Sequence, residues 1–198
     1  MVANMSEGNI WNEMASRAHA ISKSKGWWDD WPDPTQRPLD GLCGLLSSEV
    51  AELYRACTPE VGDMVGDNAS EKLDGFAKAE EEIADIAIRL GDLICSQGHN
   101  LDVAMHRADA YYLEIWSQQS EKYPWPTRFG DICSDLNCNI AAILEAWRRG
   151  ESIADPCGRL LWKIKLYSEG CSWRLLAAID AKMTYNAKRE KRHGGLKS

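Results

Sequence analysis

A chain of 198 residues, 44% hydrophobic and 27% charged, has the balance of a globular protein able to bury a core. Its net charge of −7 argues against a duplex nucleic-acid partner, whose affinity comes from neutralising phosphates, but not against a small polyanion held through a metal ion. No window approaches the ~18 consecutive apolar residues of a membrane span, and the N-terminus lacks a basic, apolar signal pattern, so no membrane partner and a cytoplasmic location are expected.

The dominant period is helical. Ile10, Trp11, Met14, Ala18 and Ile21 form one stripe, and Gly26 is placed to end that helix. Residues 27–38 are rich in tryptophan, aspartate and proline and read as a turn region. A second helix is expected over Leu39–Ala56, with Leu42, Leu45, Leu46, Val50 and Leu53 inward. Residues 57–75 read as a mobile loop, and a third helix covers Phe76 to Gln97, stopped by Gly98. Asn100 can cap a fourth helix running towards Ser120. Residues 123–127 read as a linker. A fifth helix spans Phe129 to Arg149 before Gly150, Asp155-Pro156 predicts a capped helix start, and Ser172 can cap a last helix that includes Ala177 to Arg189. No period-two strand stands out, so the fold is read as all-α, a bundle of six to seven helices.

Seven cysteines occur (Cys43, Cys57, Cys95, Cys133, Cys138, Cys157 and Cys171), an odd number without C-x-x-C spacing. They read as small buried hydrophobes in a reducing compartment rather than as a disulfide framework or a zinc site.

The linker divides the chain into residues 1–122 and 127–198, and the halves look like distant copies that together form one domain. Leu42–Ala56 lines up without gaps on Ile132–Ala146, sharing Cys43/Cys133, Leu46/Leu136, Ala51/Ala141 and Ala56/Ala146. Glu49 and Glu52 then correspond to Asn139 and Ala142, so only the first copy keeps acids.

Glu49 and Glu52 are three apart on a helix and project from one face, as do Glu82 and Asp85. Both pairs sit in apolar stretches, where unpaired acids are costly. Packed antiparallel helices would gather the four carboxylates around one point, a donor set for a hard cation such as Mg²⁺, with Mn²⁺ as a substitute. The plainer alternative is a pair of solvated acidic faces, with Arg89 as a salt-bridge partner of Asp85.

Glu49-Val-Ala-Glu52 followed by Glu82-Ile-Ala-Asp85 resembles the E-x-x-E … E-x-x-D signature of the MazG-like, all-α nucleoside triphosphate pyrophosphohydrolases, which include the dimeric dUTPases. Ala18-His-Ala-Ile-Ser-Lys-Ser-Lys-Gly-Trp-Trp-Asp29 is similar to their N-terminal helix and its end. Asp85-Ile-Ala-Ile-Arg-Leu-Gly-Asp-Leu93 resembles the continuation of the second acidic helix, and Ile143-Leu-Glu-Ala-Trp-Arg-Arg-Gly-Glu151 the segment after the first acid pair. Lys182-Met-Thr-Tyr-Asn-Ala-Lys-Arg-Glu-Lys-Arg-His-Gly-Gly195 is similar to the family's C-terminal tail. The pattern is spread over two halves instead of appearing once, which suggests a degenerate tandem copy packed as a pseudo-dimer of four-helix-type halves.

The resemblance implies hydrolysis of a (deoxy)nucleoside triphosphate between its α and β phosphates. Glu49 or Glu52 would serve as general base and the remaining acids as metal ligands. It also implies nucleotide contacts from Lys182 and Asn186, and Arg189 shares their helix face. Trp27, Trp28 and Trp31 are candidates for stacking on the base, and His19 for approaching the substrate. A homodimer is a further expectation. The alternative is a catalytically weak nucleotide-binding or regulatory protein on the same fold.

Overall fold

The computed structural model describes residues 9–58, 69–118 and 128–191, and all regular structure there is helical apart from one bridge between Ala69 and Ala77. The helices are α1 (Ile10–Ser24), α2 (Leu39–Cys57), α3 (Lys78–Ser96), α4 (Leu101–Gln118), α5 (Phe129–Arg148), α6 (Ala154–Gly170) and α7 (Leu175–Lys188), with a 3₁₀ turn at Pro34–Gln36. The all-α reading is borne out. No helix is long and apolar enough to cross a membrane.

Local sequence explains most of the punctuation. Gly26, Gly98 and Gly150 follow α1, α3 and α5 with φ of 81°, 71° and 71°, the left-handed geometry that glycine adopts without a Cβ clash. Asn100 caps α4, its Oδ1 accepting from the Val103 amide at 3.0 Å. Two expected starts differ. Ile153 precedes α6, so Asp155 lies within the first turn and pairs with Arg107 at 3.2 Å instead of capping. Ser172 belongs to the end of α6, with φ of 59°, and Arg174 is the residue flanking α7. The expected linker at 123–127, most of the 57–75 loop and residues 192–198 lie outside the described residues.

α3 is the central element. Ile83, Ala84, Ile86, Ala87, Leu90, Leu93 and Ile94 are buried as α1, α2, α6 and α7 pack around it. Leu42, Leu46, Val50 and Leu53 of α2 join the same apolar core, as do Ile132, Leu136, Ile140 and Ile143 of α5. Leu45 is only half-buried, since it faces a cavity. Cys43, Cys133 and Cys157 are buried, Cys57, Cys95 and Cys171 partly so, and Cys138 is exposed; none forms a disulfide, so the expectation of buried thiols holds for part of the set.

The packing has an internal two-fold pattern. α2 packs on α3 as α5 packs on α6, α3 meets α7 as α6 meets α4, and α2 meets α5 while α3 meets α6. This is the reciprocity of an isologous interface, here within one chain. The turns agree in detail: His99 donates its amide to the Ile94 carbonyl at 3.2 Å, and Trp173 to the Ser168 carbonyl at 2.8 Å, each just after a left-handed residue, Gly98 or Ser172. α1 has no counterpart among the described residues of the second half.

Candidate metal and polyphosphate site

α2 and α3 bring Glu49, Glu82 and Asp85 together, with one carboxylate oxygen from each lying within 4.8 Å of the others. Glu49 and Glu82 are buried because their helix faces continue the core stripe, while Asp85 keeps slight access. Burial raises all three carboxyls above their ordinary values. Arg89 opposes this at Glu49, Lys78 at Glu82 and Lys182 at Asp85, and the neighbouring acids add to the rise. Glu82 Oε2 is fully buried and accepts no hydrogen bond. Glu52 falls outside the 4.8 Å set but shares the cavity wall, half-exposed.

Each acid is matched by a cation. Arg89 Nε donates to Glu49 Oε1 at 2.5 Å, so Arg89 serves Glu49 rather than the Asp85 partner expected from its spacing. Lys78 Nζ lies 2.6 Å from Glu82 Oε1, and Lys182 Nζ 2.6 Å from Asp85 Oδ2. Glu81, also fully buried, holds Lys182 at 2.5 Å and Lys72 at 2.8 Å and accepts from Ser70 Oγ at 2.6 Å. Burial would raise Glu81, but the hydrogen bonds from Lys182, Lys72 and Ser70 outweigh it and hold the carboxyl far below the usual range. The consecutive acids Glu80, Glu81 and Glu82 were the overlooked signal: three in a row inside an apolar helix need partners, and Arg174, Lys182 and Lys78 supply them.

Glu49, Glu52 and Asp85 border a cavity of about 490 Å³, and the fully buried Glu82 does not line it. Lys25, Arg37, Lys72, Arg89, Lys182 and Arg189 supply its cations, and Ala18, Ile21, Trp27, Leu42, Leu45 and Ile88 its apolar lining. That size lies in the range of small-molecule sites. Lys25 closes one side, donating to the carbonyls of Ala187 at 2.8 Å and Arg189 at 2.6 Å and so fixing the end of α7 to the end of α1.

The other expected residues divide. Lys182, Asn186 and Arg189 reach the cavity from α7 and its end, in the same chain as the acids. The Lys182 ammonium is committed to Glu81 and Asp85, so it is a positioning group here rather than a free phosphate contact. Asn186 Oδ1 is buried without a hydrogen-bond partner. Trp28 is corrected: it is buried in the core, Arg37 lies 4.6 Å over its ring, and its Nε1 donates to Asp92, so no face is open to a base. Trp27 lines the cavity instead, and Trp31 packs half-buried against the core. His19 does not line the cavity either; its Nδ1 lies 2.7 Å from Asp92 Oδ1, which does, so it acts behind Asp92.

The two-fold related position in the second half differs throughout. Equal spacing from Gly98 and Ser172 pairs Glu82 with Pro156, Asp85 with Arg159, Ile88 with Trp162, Lys182 with Ala108 and Asn186 with Tyr112. Tyr112 stacks on Trp162 with centroids 4.0 Å apart, and Lys163 lies 5.2 Å from the Tyr112 ring while pairing with Asp135 at 3.1 Å. Tyr167 donates to Asp135 as well. Side chains fill the space, and the acids are gone. Comparison with family models, curated proteins and solved structures finds no match to this chain.

Proposed function

We propose that the chain is a divalent-metal-dependent nucleoside triphosphate pyrophosphohydrolase of the MazG-like kind, converting a (d)NTP to (d)NMP and pyrophosphate. The observation that carries this reading is the convergence of Glu49, Glu82 and Asp85 within 4.8 Å beside a cavity lined by six cations. An all-carboxylate donor set suits Mg²⁺ or Mn²⁺, and the unsatisfied, fully buried Glu82 Oε2 fits such an ion. When bound, the ion supplies Lewis acidity at phosphate oxygens and eases deprotonation of water.

The chain's own residues do the rest. Glu52 has solvent access and stands outside the close triad, which favours it over Glu49 as general base. It takes a proton as the water oxygen bonds to the α-phosphorus and the bridging oxygen leaves with pyrophosphate; that choice of bond rests on the sequence resemblance. Arg37 and Arg189 offer planar donors to phosphate oxygens, Asn186 an amide, and Trp27 with Leu42 and Leu45 an apolar surface for the base.

A second reading, binding or regulation without turnover, is favoured by the internal ion pairing of every acid in the cluster. Pyrophosphate release from a panel of nucleotides, with Mg²⁺ and with EDTA, separates the two. Metal-dependent release from at least one nucleotide supports the enzyme, while saturable binding without release supports the alternative.

A further inference from the structure

The ion pairs around the acid cluster are unequal in one respect, which is how far each cation can retreat. Lys182 is 2% exposed and held by two carboxylates, so it has nowhere to go. Arg89 and Lys78 are 41% and 31% exposed, and each reaches its acid from a position where solvent already touches the side chain; Lys78 also lies 3.1 Å from Glu81, a second anion it can keep when it leaves Glu82. Arg89 also lines the cavity. Long cationic side chains with an exposed flank exchange partners at low cost, because the lost pair is replaced by water or another anion.

We propose, building on the pyrophosphohydrolase reading, that Arg89 and Lys78 are exchangeable counter-cations of the acid cluster, so that the site takes a divalent ion together with a polyphosphate and not alone. A free ion must compete with Arg89 for Glu49 and with Lys78 for Glu82, and the displaced charges would then face the incoming ion. A polyphosphate supplies the missing anionic partner: Arg89 turns from Glu49 to the phosphates as the ion takes its place. Lys182 stays with Glu81 and Asp85 throughout, keeping Asp85 oriented and lowering the net negative charge offered to the ion. The ligand recognised is therefore the metal–polyphosphate complex, and metal and polyphosphate strengthen each other's binding by the same factor.

The full-length protein tests this without turnover. Mn²⁺ binding alone is followed through the loss of the free-ion electron paramagnetic resonance signal, for the wild type and for Lys78→Gln/Arg89→Gln. The double variant should bind Mn²⁺ at least tenfold more tightly, since two competing cations are gone. In parallel, thermal melts of the wild type are recorded with Mg²⁺, with inorganic triphosphate, and with both. The joint shift should exceed the sum of the separate ones, and the excess should shrink in the double variant. Equal Mn²⁺ affinity in wild type and variant, or additive melting shifts, overturns the inference while leaving the functional reading intact. Absence of any shift in the wild type when Mg²⁺ and triphosphate are present together removes that reading and the inference with it. The wild-type melts stand alone should the variant not fold.

Discussion

Lys182, carried by the last helix, lies 2.6 Å from Asp85 and 2.5 Å from Glu81 on the central one. A single buried ammonium thus joins the second half of the chain to the acids of the first. Removing it leaves the largely buried Asp85 without its bonded cation, while Glu81 keeps Lys72, Lys78 and Ser70, and breaking a buried pair in this way typically costs about 3–5 kcal/mol. Lys182→Met should therefore lower stability by roughly that amount in denaturant titrations, and Mg²⁺ should restore part of the loss. Unchanged stability would show that the pair contributes nothing to the fold.

Glu49→Gln should reduce metal-dependent pyrophosphate release by several orders of magnitude, since a metal ligand is lost. Near-normal turnover in this variant would sink the metal-site assignment. Glu82→Gln offers a test without activity. Burial lifts the Glu82 carboxyl above its ordinary 4.5 against the pull of Lys78, so between the unfolded and folded values the folded chain keeps a proton that the unfolded chain has released, and stability falls as pH rises through that window. Metal-free Glu82→Gln should be at least as stable as the wild type at pH 7.5, with the advantage narrowing at pH 5.

Glu80 behaves in the opposite sense. Hydrogen bonds from Arg174 to this buried carboxylate, at 2.8 and 2.9 Å, hold its pKa down to about 2. The clamp ties the start of α3 to the start of α7. Its contribution is complete above the ordinary value of 4.5 and is lost as pH falls towards 2. Glu80→Gln should cost about 1–3 kcal/mol at pH 7, discounted because Arg174 is half-exposed, and the difference from wild type should close on acidification. A gap independent of pH would assign the loss to packing instead.

Nucleotide stoichiometry should be one per chain. The two-fold related position has Pro156 and Arg159 where the first half has Glu82 and Asp85, and its space holds the Tyr112–Trp162 stack. Equilibrium dialysis with a non-hydrolysable triphosphate and Mg²⁺ should saturate at a single equivalent. Two equal sites would contradict the asymmetry.

Gly158 lets α6 approach the backbone of α4 closely. A Cβ there would lie 2.2 Å from the Ala104 carbonyl oxygen, a backbone atom that cannot rotate away. Gly158→Ala should destabilise by about 1–3 kcal/mol or more, read as a lower melting temperature. Gly91→Ala meets the flexible Met14 side chain at 2.9 Å, though also the Ala15 Cα at 3.0 Å, and should cost less.

The helices and the acid pairs were legible because period and spacing are local properties. Leu42, Leu46, Val50 and Leu53 announce a buried stripe, and Glu49 then falls beside it. Lys78, three and four residues before Glu81 and Glu82 on α3, could have been found from helical spacing. Lys72 and Lys182 were not legible, because they meet Glu81 through tertiary packing that no spacing encodes. Trp28 misled for a related reason: Trp27 and Trp28 are chemically alike, and only the fold decides which one enters the core and which borders the cavity.

The turn shared by the two halves also predicts how each can diverge. Gly98 and Ser172 hold the same left-handed backbone, which side chains branched at Cβ rarely adopt. A saturation library at the two codons should keep glycine, asparagine and serine while purging valine, isoleucine and threonine, so that the turn constrains these two positions more tightly than the exposed residues around them.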